Sequence, residues 1–375
     1  MNEHPRIPIV FIVNDFLFGG AQRLYLNLFD TFDRSEFDVH LVTLLEFPGK
    51  RYLYAEVPEH VSVHRFCFGS FKDIRKWWAL ARTLRRLHPR VVVSSLFFSN
   101  TVVRVLQPFF GYRVIAIEHN TYIAKTRAQI LVDRVLSHCT YAIVAVSQTV
   151  LSFTTKQESI PEKKFRLIRN GVSISKIENT LRTVDTVALR QQLKLAEGDK
   201  VVLNVGRLTE QKNQGTLIEA FVTFSRNHPE YKLFILGEGK LKGEYERLIT
   251  KLHAENSVRL LGVKDDIISF YALADFLVSA SHIEGLSMTQ AEALAAGLPL
   301  LSTKTAGADE MINEGENGYF IQQPTADSVC AGLEMMAGAD LASMRTSARA
   351  SAARYDIQET ARKYMQLIRE CLRTG

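Results

Sequence analysis

Two carboxylates eight residues apart are the strongest chemical signal in this sequence. Glu284 and Glu292 lie in residues 282–297, a segment that follows a strand pattern and continues as a strong helix former between two glycines. Backbone amides around Gly285–Met288 would lie at the start of that helix, where unpaired N–H groups attract anions such as a diphosphate. The segment therefore predicts an anion site flanked by two acidic groups.

The spacing of the two carboxylates fits a ligand that carries hydroxyl groups at both ends. Eight residues of helix extend up to ~12 Å, about the span from a sugar ring across two phosphates to a ribose. Because carboxylates accept hydrogen bonds from vicinal hydroxyls, Glu284 could bind the sugar and Glu292 the ribose. The alternative is that Glu284 caps the helix and Glu292 is solvated.

Two cations follow the first strand of the second half of the chain. Gly206 and Arg207 end the strand pattern Val201–Val205, and Lys212 follows five residues after Arg207. Arginine offers a bidentate fork and lysine a point charge, which together suit two phosphates. Fixed positive charge also stabilises a diphosphate leaving group. The alternative is an ordinary surface arginine and lysine beside a turn.

Two weaker signals lie in the first half of the chain. Gly19 and Gly20 precede a helical pattern, so the backbone there can approach a ligand closely, although they do not form a GxGxxG fingerprint. His119 follows the strand pattern Val114–Ile117. A histidine in such a loop is either structural or functional, and its expected place at a ligand crevice leaves both interpretations open.

The elements that must position these residues alternate along the whole chain. Short β-branched runs alternate with amphipathic patterns from Ile9–Val13 to Ala142–Val146, and again from Val201–Val205 to Gly318–Ile321. Continuous apolar strands separated by helices indicate parallel sheets covered on both faces. Ligands bind beyond the carboxyl ends of such strands. We therefore expect an α/β protein with two doubly wound domains whose crevices face each other.

The length of 375 residues also favours two domains. The pattern resets at Asn170-Gly171-Val172, and the polar stretch from Ser173 to about Asp185 resembles a connector. We predict domains at residues 1–172 and 173–355. The final amphipathic segment, residues 356–375, could pack on either of them.

Charge is distributed unevenly between the two halves. Residues 1–175 contain 23 Lys and Arg against 14 Asp and Glu, whereas the remainder contains 23 against 26. A basic first half predicts contact with nucleic acid, an anionic membrane or a phosphorylated acceptor. No recognised nucleic-acid module accompanies the charge, so we expect no nucleic-acid partner.

Residues 72–88 combine an apolar stripe with a basic face. One interpretation is a helix that covers a sheet with its charges solvated; the other is an interfacial helix with Trp78 and several arginines at headgroup level. The scattered cysteines and the lack of a secretory signal or of ~18 consecutive apolar residues predict a cytoplasmic protein. The inner face of the plasma membrane is its candidate peripheral contact.

Taken together, these residues resemble the retaining nucleotide-sugar glycosyltransferases of family four, whose GT-B fold has two Rossmann-like domains facing across a cleft. The resemblance covers nearly the whole chain. It rests on the following segments: Glu284 to Glu292 with Gly285-Leu286, Gly206-Arg207-Leu208 with Lys212, Leu236-Gly237-Glu238-Gly239, and Asn170-Gly171-Val172.

The resemblance implies a role for each motif residue. Arg207 and Lys212 would hold the diphosphate, Glu284 the donor sugar and Glu292 the ribose, while His119 would contact the sugar near the reacting carbon. The resemblance also implies that the C-terminal segment crosses back to the first domain. Further donor contacts are implied for Gly19, Gly20, Gly206, Gly237, Gly285, Leu286 and Ser287.

The resemblance also implies the reaction. A hexose or N-acetylhexosamine would pass from a UDP-sugar, with GDP-mannose as a second option, to a lipid-linked or polysaccharide acceptor in bacterial lipopolysaccharide, capsule or exopolysaccharide assembly. The family needs no metal or other cofactor, so Asp265-Asp266 is interpreted as a helix start.

Two positions and two alternative functions qualify this assignment. Many relatives carry His-Asp where this chain has His119-Asn120, and Glu310 stands where the family often has an acidic residue. The alternative functions are a non-catalytic nucleotide-sugar-binding scaffold subunit and another GT-B enzyme, such as a nucleotide-sugar epimerase or a phosphorylase.

Overall fold

A computed structural model describes residues 6–69 and 73–373. Its contacts divide the chain into two compact units: unit 1 joins the residues up to Gly171 with those from Ile357 onward, and unit 2 spans Val172–Asp356. Each unit contains one parallel sheet flanked by helices. The predicted α/β class with two doubly wound domains is confirmed.

Unit 1 is built on seven strands. The strands are β1 (Ile7–Val13), β2 (Phe37–Thr43), β3 (Ser62–Arg65), β4 (Val91–Ser95), β5 (Arg113–Glu118), β6 (Ala142–Ala145) and β7 (Phe165–Leu167). The connecting helices are α1 (Gly20–Thr31), α2 (Ile74–Leu87), α3 (Phe97–Phe110), α4 (Arg127–Leu136) and α5 (Gln148–Glu158), with 3₁₀ turns at Leu53–Glu56, Ser137–Cys139 and Glu162–Lys164. The sheet order is β3-β2-β1-β4-β5-β6-β7, so the topology switches direction between β1 and β4.

Alternation along β1 explains how helices cover both faces of this sheet. Successive side chains of a strand point to opposite faces. Phe11 packs edge-on against Tyr25 and Phe29 of α1. Val10 and Ile12 belong instead to the buried cluster formed with α2 and α3. A strand buried on both sides must be apolar throughout, as this one is.

Unit 2 is built on six strands. The strands are β8 (Lys200–Val205), β9 (Tyr231–Leu236), β10 (Val258–Gly262), β11 (Phe276–Ser279), β12 (Leu300–Thr303) and β13 (Gly318–Ile321). The helices are α6 (Ile174–Leu181), α7 (Thr186–Gln192), α8 (Gln214–Ser225), α9 (Lys242–Lys251), α10 (Ile267–Leu273), α11 (Met288–Ala295), α12 (Ala308–Met311), α13 (Ala326–Ala337) and α14 (Leu341–Ala352), with 3₁₀ turns at Glu210–Lys212 and Ala353–Tyr355. The sheet order is β10-β9-β8-β11-β12-β13, so β8 and β11 are neighbours at the switch point.

The predicted connector after Val172 is helical. Helix α6 occupies most of it, with Ile177 buried, and packs against α10 and α11. Ile174, Ile177 and Leu181 recur at helical spacing and form a narrow apolar stripe. The polar residues around that stripe concealed it in the sequence.

The last helix, α15 (Ile357–Arg373), belongs to unit 1, where it packs against α1. Arg369 forms an ion pair with Glu36, and the Thr360 hydroxyl donates to the Arg169 carbonyl at 3.0 Å. Gly171 lies directly against the first turn of α15. A Cβ atom added at Gly171 would approach Ile357 Cα to 2.6 Å and Thr360 Oγ1 to 2.5 Å.

The contact at Gly171 yields a stability prediction. Gly171→Ala should lower the free energy of unfolding by about 1–3 kcal/mol, because the added methyl group meets backbone that cannot move aside without displacing the helix. The control is Gly243→Ala, where nothing lies within 4 Å of the added Cβ and the helical position favours alanine. The measurement is urea unfolding of both variants. A Gly171→Ala protein as stable as the parent would contradict the prediction.

Candidate functional site

The loops that follow β8 and β11 are joined at the carboxyl edge of the unit 2 sheet. The amide of His282 donates to the Gln211 carbonyl at 2.8 Å, and Gln211 Nε2 donates to the Ile283 carbonyl at 2.8 Å. These bonds fasten the loop before α8 to the loop before α11. Gln211 was not singled out from the sequence, because a glutamine beside a lysine carries no motif of its own.

The two fastened loops bring Lys212 and Glu284 together. Lys212 Nζ donates a hydrogen bond to Glu284 Oε1, and the two side chains are only 19% and 11% exposed. Lysine has three N–H donors, so two remain for an incoming anion. The interpretation of Glu284 as a helix cap is wrong, since Ser287 is the N-cap of α11. Lys212 is likewise not an ordinary surface lysine.

Arg207 lies in the same loop with its guanidinium exposed. Its backbone is fixed, because Gln214 Nε2 donates to the Arg207 carbonyl at 3.0 Å. No ion pair joins the Arg207 side chain to any other residue within 6–69 or 73–373. Gly206 lies under the aliphatic part of Lys212, where an added Cβ would be 3.3 Å from Lys212 Cε. The loop thus presents Lys212, which is held by Glu284, and Arg207, whose side chain forms no ion pair within the described residues.

Helix α11 begins four residues after Glu284, the partner of Lys212. Leu286 and Ser287 are buried, and the Ser287 hydroxyl interacts with Thr289 Oγ1 at 3.0 Å, so it forms no cap hydrogen bond to the first turn. A helix start without a side-chain cap presents amide N–H groups and the positive end of the helix dipole. This arrangement can bind an anion.

The helix begins later than the sequence suggested. Because α11 starts at Met288, the eight residues from Glu284 to Glu292 are not a continuous helical run, and the helical distance inferred from their spacing is wrong. Glu292 is half-buried, and its Oε2 accepts a hydrogen bond from the Tyr271 hydroxyl at 2.9 Å. It is therefore an oriented carboxylate and not a solvated one. Tyr271 comes from α10 and gave no signal in the sequence.

Two glycines allow neighbouring backbone to pack closely against the loop that carries Arg207 and Lys212 and against the loop before α11. Gly237 has φ +142°, and a Cβ atom there would lie 1.9 Å from the Gly206 carbonyl oxygen. A Cβ atom at Gly307 would lie 2.2 Å from the Gly285 carbonyl oxygen. Glu310 follows in the short helix α12, where its carbonyl accepts from the Tyr355 hydroxyl at 2.9 Å.

Asp265-Asp266 begins a helix, as interpreted from the sequence. Asp266 is the N-cap of α10, and its carboxylate accepts from the Ser269 amide at 3.2 Å.

In unit 1, Gly19 and Gly20 form the start of α1. Gly19 is the N-cap and makes no side-chain cap within the described chain. Asp15 holds the preceding turn by accepting hydrogen bonds from the Leu17 amide at 3.1 Å and from Gln22 Nε2 at 3.3 Å. A second uncapped helix start therefore lies at the carboxyl end of β1.

His119 directly follows β5. Its Nε2 lies 3.0 Å from the Ser95 hydroxyl, and burial lowers the pKa of His119 to about 4. The ring is therefore neutral at physiological pH. The next residue, Asn120, accepts from the Thr121 amide at 2.9 Å, so its side chain shapes the turn.

A buried charge network lies beside His119 and was not predicted. Arg104 bonds to Asp133 at 2.8 Å, and Lys125 contacts Glu118, Asp133 and Glu158. Burial raises the pKa of Glu158 to about 7. Because Glu118 and Lys125 lie at the two ends of the loop that carries His119, the network anchors that loop.

Comparison with known families identifies the class of protein. Residues 18–176 match the family model described as Glycosyltransferase Family 4, and residues 185–349 match the model described as Glycosyl transferases group 1. Together the two models span nearly the whole chain, in the order expected for the two units. The chain belongs to the family-4 glycosyltransferases.

Known relatives of this glycosyltransferase differ in how much of their length it covers. It is 28% identical to N-acetylgalactosamine-N,N'-diacetylbacillosaminyl-diphospho-undecaprenol 4-alpha-N-acetylgalactosaminyltransferase of Campylobacter jejuni, over 85% of this chain and 87% of that enzyme. It is 27% identical to an uncharacterised glycosyltransferase of Methanocaldococcus jannaschii over 62% of this chain, but the match spans only 60% of that protein.

A solved structure shows the fold of this glycosyltransferase. HepE of Anabaena, crystallised in complex with UDP and glucose, superposes with a TM-score of 0.83 at 20% identity, covering 97% of this chain and 100% of that one. The predicted GT-B fold class is confirmed.

The close approach at Gly237 can be separated from its unusual φ by two alanine variants. Gly237→Ala should lower the free energy of unfolding by about 2–6 kcal/mol, because strain at positive φ adds to a clash with the Gly206 carbonyl. Gly198→Ala is the matched control: φ is +87° but nothing lies within 4 Å of the added Cβ, so we expect a loss of about 1–2 kcal/mol. The measurement is chemical denaturation of both variants. If both lost the same free energy of unfolding, the close contact with the Gly206 carbonyl would not add to the cost of the Gly237 substitution.

Proposed function

We propose that this protein is a retaining glycosyltransferase that moves a hexose or N-acetylhexosamine from a nucleotide diphosphate sugar to a lipid-linked or polysaccharide acceptor in bacterial lipopolysaccharide, capsule or exopolysaccharide assembly. The observation that carries the donor assignment is the Lys212–Glu284 pair beside an uncapped helix start. A cation, an amide-lined anion site and a carboxylate acceptor within one pair of loops match a phosphorylated sugar.

In this proposal unit 2 binds the nucleotide end of the donor. Arg207, Lys212 and the amides at Gly285–Ser287 bind the diphosphate, because an exposed arginine, a lysine oriented by Glu284 and a helix start all present positive charge to it. Glu284 accepts hydrogen bonds from the sugar, and Glu292, oriented by Tyr271, accepts them from the ribose. Gly206 and Gly237 supply the close backbone packing that shapes the loops.

Two segments of unit 1 complete the proposed donor contacts. The α1 start at Gly19 and Gly20 binds a phosphate oxygen, and His119 contacts the sugar near the anomeric carbon. Because Arg207, Lys212 and the helix-start amides together stabilise negative charge on the diphosphate, we propose that no metal is required.

The proposed reaction proceeds with retention. The acceptor hydroxyl oxygen forms its bond to the anomeric carbon on the face from which the diphosphate departs. The bond from that carbon to the diphosphate oxygen breaks, and the leaving diphosphate takes the hydroxyl proton. Arg207 and Lys212 stabilise the negative charge that develops on the diphosphate. Glu284 is engaged by Lys212, which disfavours it as a covalent nucleophile.

We favour a UDP-sugar over GDP-mannose as the donor. The Anabaena protein has been crystallised with UDP and glucose and with UDP-glucose. A lipid-linked acceptor is supported by the name of the Campylobacter relative, which specifies a diphospho-undecaprenol compound, and by the excess of basic residues in the first half of this chain.

Removal of either partner of the unit 2 ion pair tests the donor proposal. Lys212→Ala and Glu284→Ala should each lower kcat at least about a hundredfold, because each removes a fixed charge or acceptor that acts on the reacting donor. The measurement is nucleotide release from UDP- and GDP-sugars with and without a glycan acceptor, with circular dichroism to verify the fold.

The matched control is the exposed Lys363–Glu359 pair of α15. Lys363→Ala and Glu359→Ala should leave nucleotide release unchanged. Full activity of Lys212→Ala would contradict the proposed site. Nucleotide binding without acceptor-dependent release by the parent protein would favour the non-catalytic scaffold subunit.

We further propose that α2 contacts an anionic membrane. Leu80 and Leu84 are buried against the sheet, as the sheet-covering interpretation requires. The opposite face leaves Trp78 72% exposed and Ile74 68% exposed beside several basic residues. Lys72, the first residue of the predicted segment, lies outside the described residues.

Two other helices of unit 1 also expose large apolar side chains. Phe109 at the end of α3 is 78% exposed, and Leu131 of α4 is 58% exposed, while α3 and α4 pack together. Aromatic and aliphatic side chains interspersed with arginines suit the interface of an anionic bilayer. No helix within residues 6–69 and 73–373 combines the length and apolar character needed to cross a membrane.

Charge removal tests the membrane proposal. The triple variant Arg82→Ala, Arg85→Ala and Arg86→Ala should weaken partition onto phosphatidylglycerol-containing vesicles by up to about a hundredfold, since each surface cation contributes about 1 kcal/mol. The control removes three exposed cations of unit 2 and should bind as the parent does: Arg226→Ala, Arg247→Ala and Lys251→Ala. Equal partition of all three proteins in a sedimentation assay would disprove contact through α2.

A further inference from the structure

Five charged side chains are buried together in unit 1, on one strand, one loop and three helices. The side chains of Arg104 on α3 and Asp133 on α4 are each 1% exposed, and that of Glu158 at the end of α5 is 2% exposed. Glu118 at the end of β5 and Lys125 in the loop that follows are 5% and 6% exposed. We call these five residues the Lys125 network. Charged side chains are almost never buried this fully unless they are paired.

Lys125 lies at the centre of the network. Its Nζ is 2.9 Å from Asp133 Oδ2 and 3.7 Å from Glu118 Oε2, and it also donates to the carboxylate of Glu158. Asp133 bonds in addition to Arg104 at 2.8 Å. One lysine thus connects the strand to the ends of two helices.

The other polar groups at the network leave its charge unchanged. Asn100 Nδ2 donates to Glu118 Oε1 at 3.4 Å and is uncharged. His119 is neutral, because burial lowers its pKa to about 4. Arg134 of α4 is exposed, so water screens its charge, and its Nε donates to the main-chain carbonyl of Glu158 at 2.7 Å.

The network has one carboxylate more than it has cations. Three carboxylates face two cations, so the network would carry a net negative charge if all five groups were ionised. Burying a charge that is not compensated costs much more free energy than burying a neutral carboxylic acid. A single proton bound to one of the carboxylates removes the surplus charge.

Glu118 and Glu158 are the carboxylates that share this proton. Asp133 contacts both cations of the network, whereas Lys125 is the cation that the two glutamates contact. Burial raises the pKa of both glutamates, that of Glu158 to about 7. The network therefore exchanges its proton near neutral pH.

The network closes the loop of residues 119–126, which joins β5 to α4. Glu118 precedes the loop, and Lys125 lies near its end. Tyr122 in the middle is held from α5, because Gln157 Nε2 donates to the Tyr122 carbonyl at 3.0 Å. Lys125 Nζ also lies 5.3 Å from the centroid of the Tyr122 ring. Contacts from side chains therefore tie this loop to α4 and α5.

We propose that the Lys125 network is a proton-dependent latch, which holds the loop of residues 119–126 closed while Glu118 or Glu158 carries a proton and eases its opening when that proton is lost. Opening admits water to the carboxylates, which lowers the cost of the surplus charge. Ligands bind beyond the carboxyl ends of parallel strands, so the latch controls a segment at the ligand edge of unit 1. This inference goes beyond the proposed function and does not depend on it.

The sign of the pH dependence follows from the raised pKa. The closed loop binds the proton more tightly than the open loop, where the glutamates are in water. Closure is therefore most favourable below the ordinary pKa of glutamate and weakens as the pH rises through about 7.

Hydrogen–deuterium exchange of the full chain measures opening of the loop without any substrate. After correction for the intrinsic effect of pH on exchange, the peptide covering residues 119–126 should be about tenfold less protected at pH 8 than at pH 6. This is the change that one proton with a pKa of about 7 produces. Glu158→Gln leaves two carboxylates facing two cations, so its loop should be equally protected at both pH values.

Lys125→Met tests the centre of the network. Loss of the buried cation should lower protection of the loop at least about tenfold at both pH values, with circular dichroism to verify the fold. The matched controls are Lys164→Met, which removes a half-buried lysine that donates to the Thr140 carbonyl at 2.7 Å, and Glu162→Gln, which neutralises an exposed glutamate. Both controls should show the protection and the pH dependence of the parent.

Two results would overturn the latch. One is equal protection of the parent loop at pH 6 and pH 8, and the other is a tenfold change that persists in Glu158→Gln. If Lys125→Met does not fold, Glu158→Gln still decides, because it keeps both cations and removes only the surplus charge. No reaction is involved, so a protein that transfers no sugar can still confirm or contradict the latch.

Discussion

The hydrogen-bonded ion pair between Lys212 and Glu284 is the interaction on which the candidate site of unit 2 depends. Holding two opposite charges largely out of water costs desolvation free energy, which is recovered only when the geometry is well fixed. Three features fix the geometry here. β8 and β11 are neighbours, the side chain of Gln211 joins their loops, and Gly237 allows a third loop to pack closely against them. A pair so placed keeps a lysine aimed at one position before any ligand arrives.

Much of this arrangement follows from the sequence, and the reason is geometric. Alternating strands and helices predict parallel sheets, and parallel strands end at one edge, so Arg207, Lys212 and Glu284 were expected near one another. Two predictions from local sequence pattern are wrong. The polar residues after Val172 suggest a connector, but they form helix α6. Helix α11 begins only at Met288, so the segment between the two glutamates is helical over only part of its length.

The partners that orient the candidate residues could not be predicted. Tyr271 reaches Glu292 from another helix, and Ser95 reaches His119 from another strand, so neither contact leaves a spacing that can be found along the chain. The buried network around Lys125 is a similar case. Charged residues are rarely buried, and only the fold shows that this lysine meets three carboxylates.

Unit 2 is one continuous stretch of chain, whereas unit 1 is interrupted: the chain leaves it at Gly171 and returns to it at Ile357. During synthesis the first sheet therefore emerges without the helix that covers α1, and its apolar face there stays incomplete for the time needed to make 185 further residues. Unit 2 has all of its own strands before that helix exists. Completion of unit 1 thus waits for a segment that is made only after unit 2.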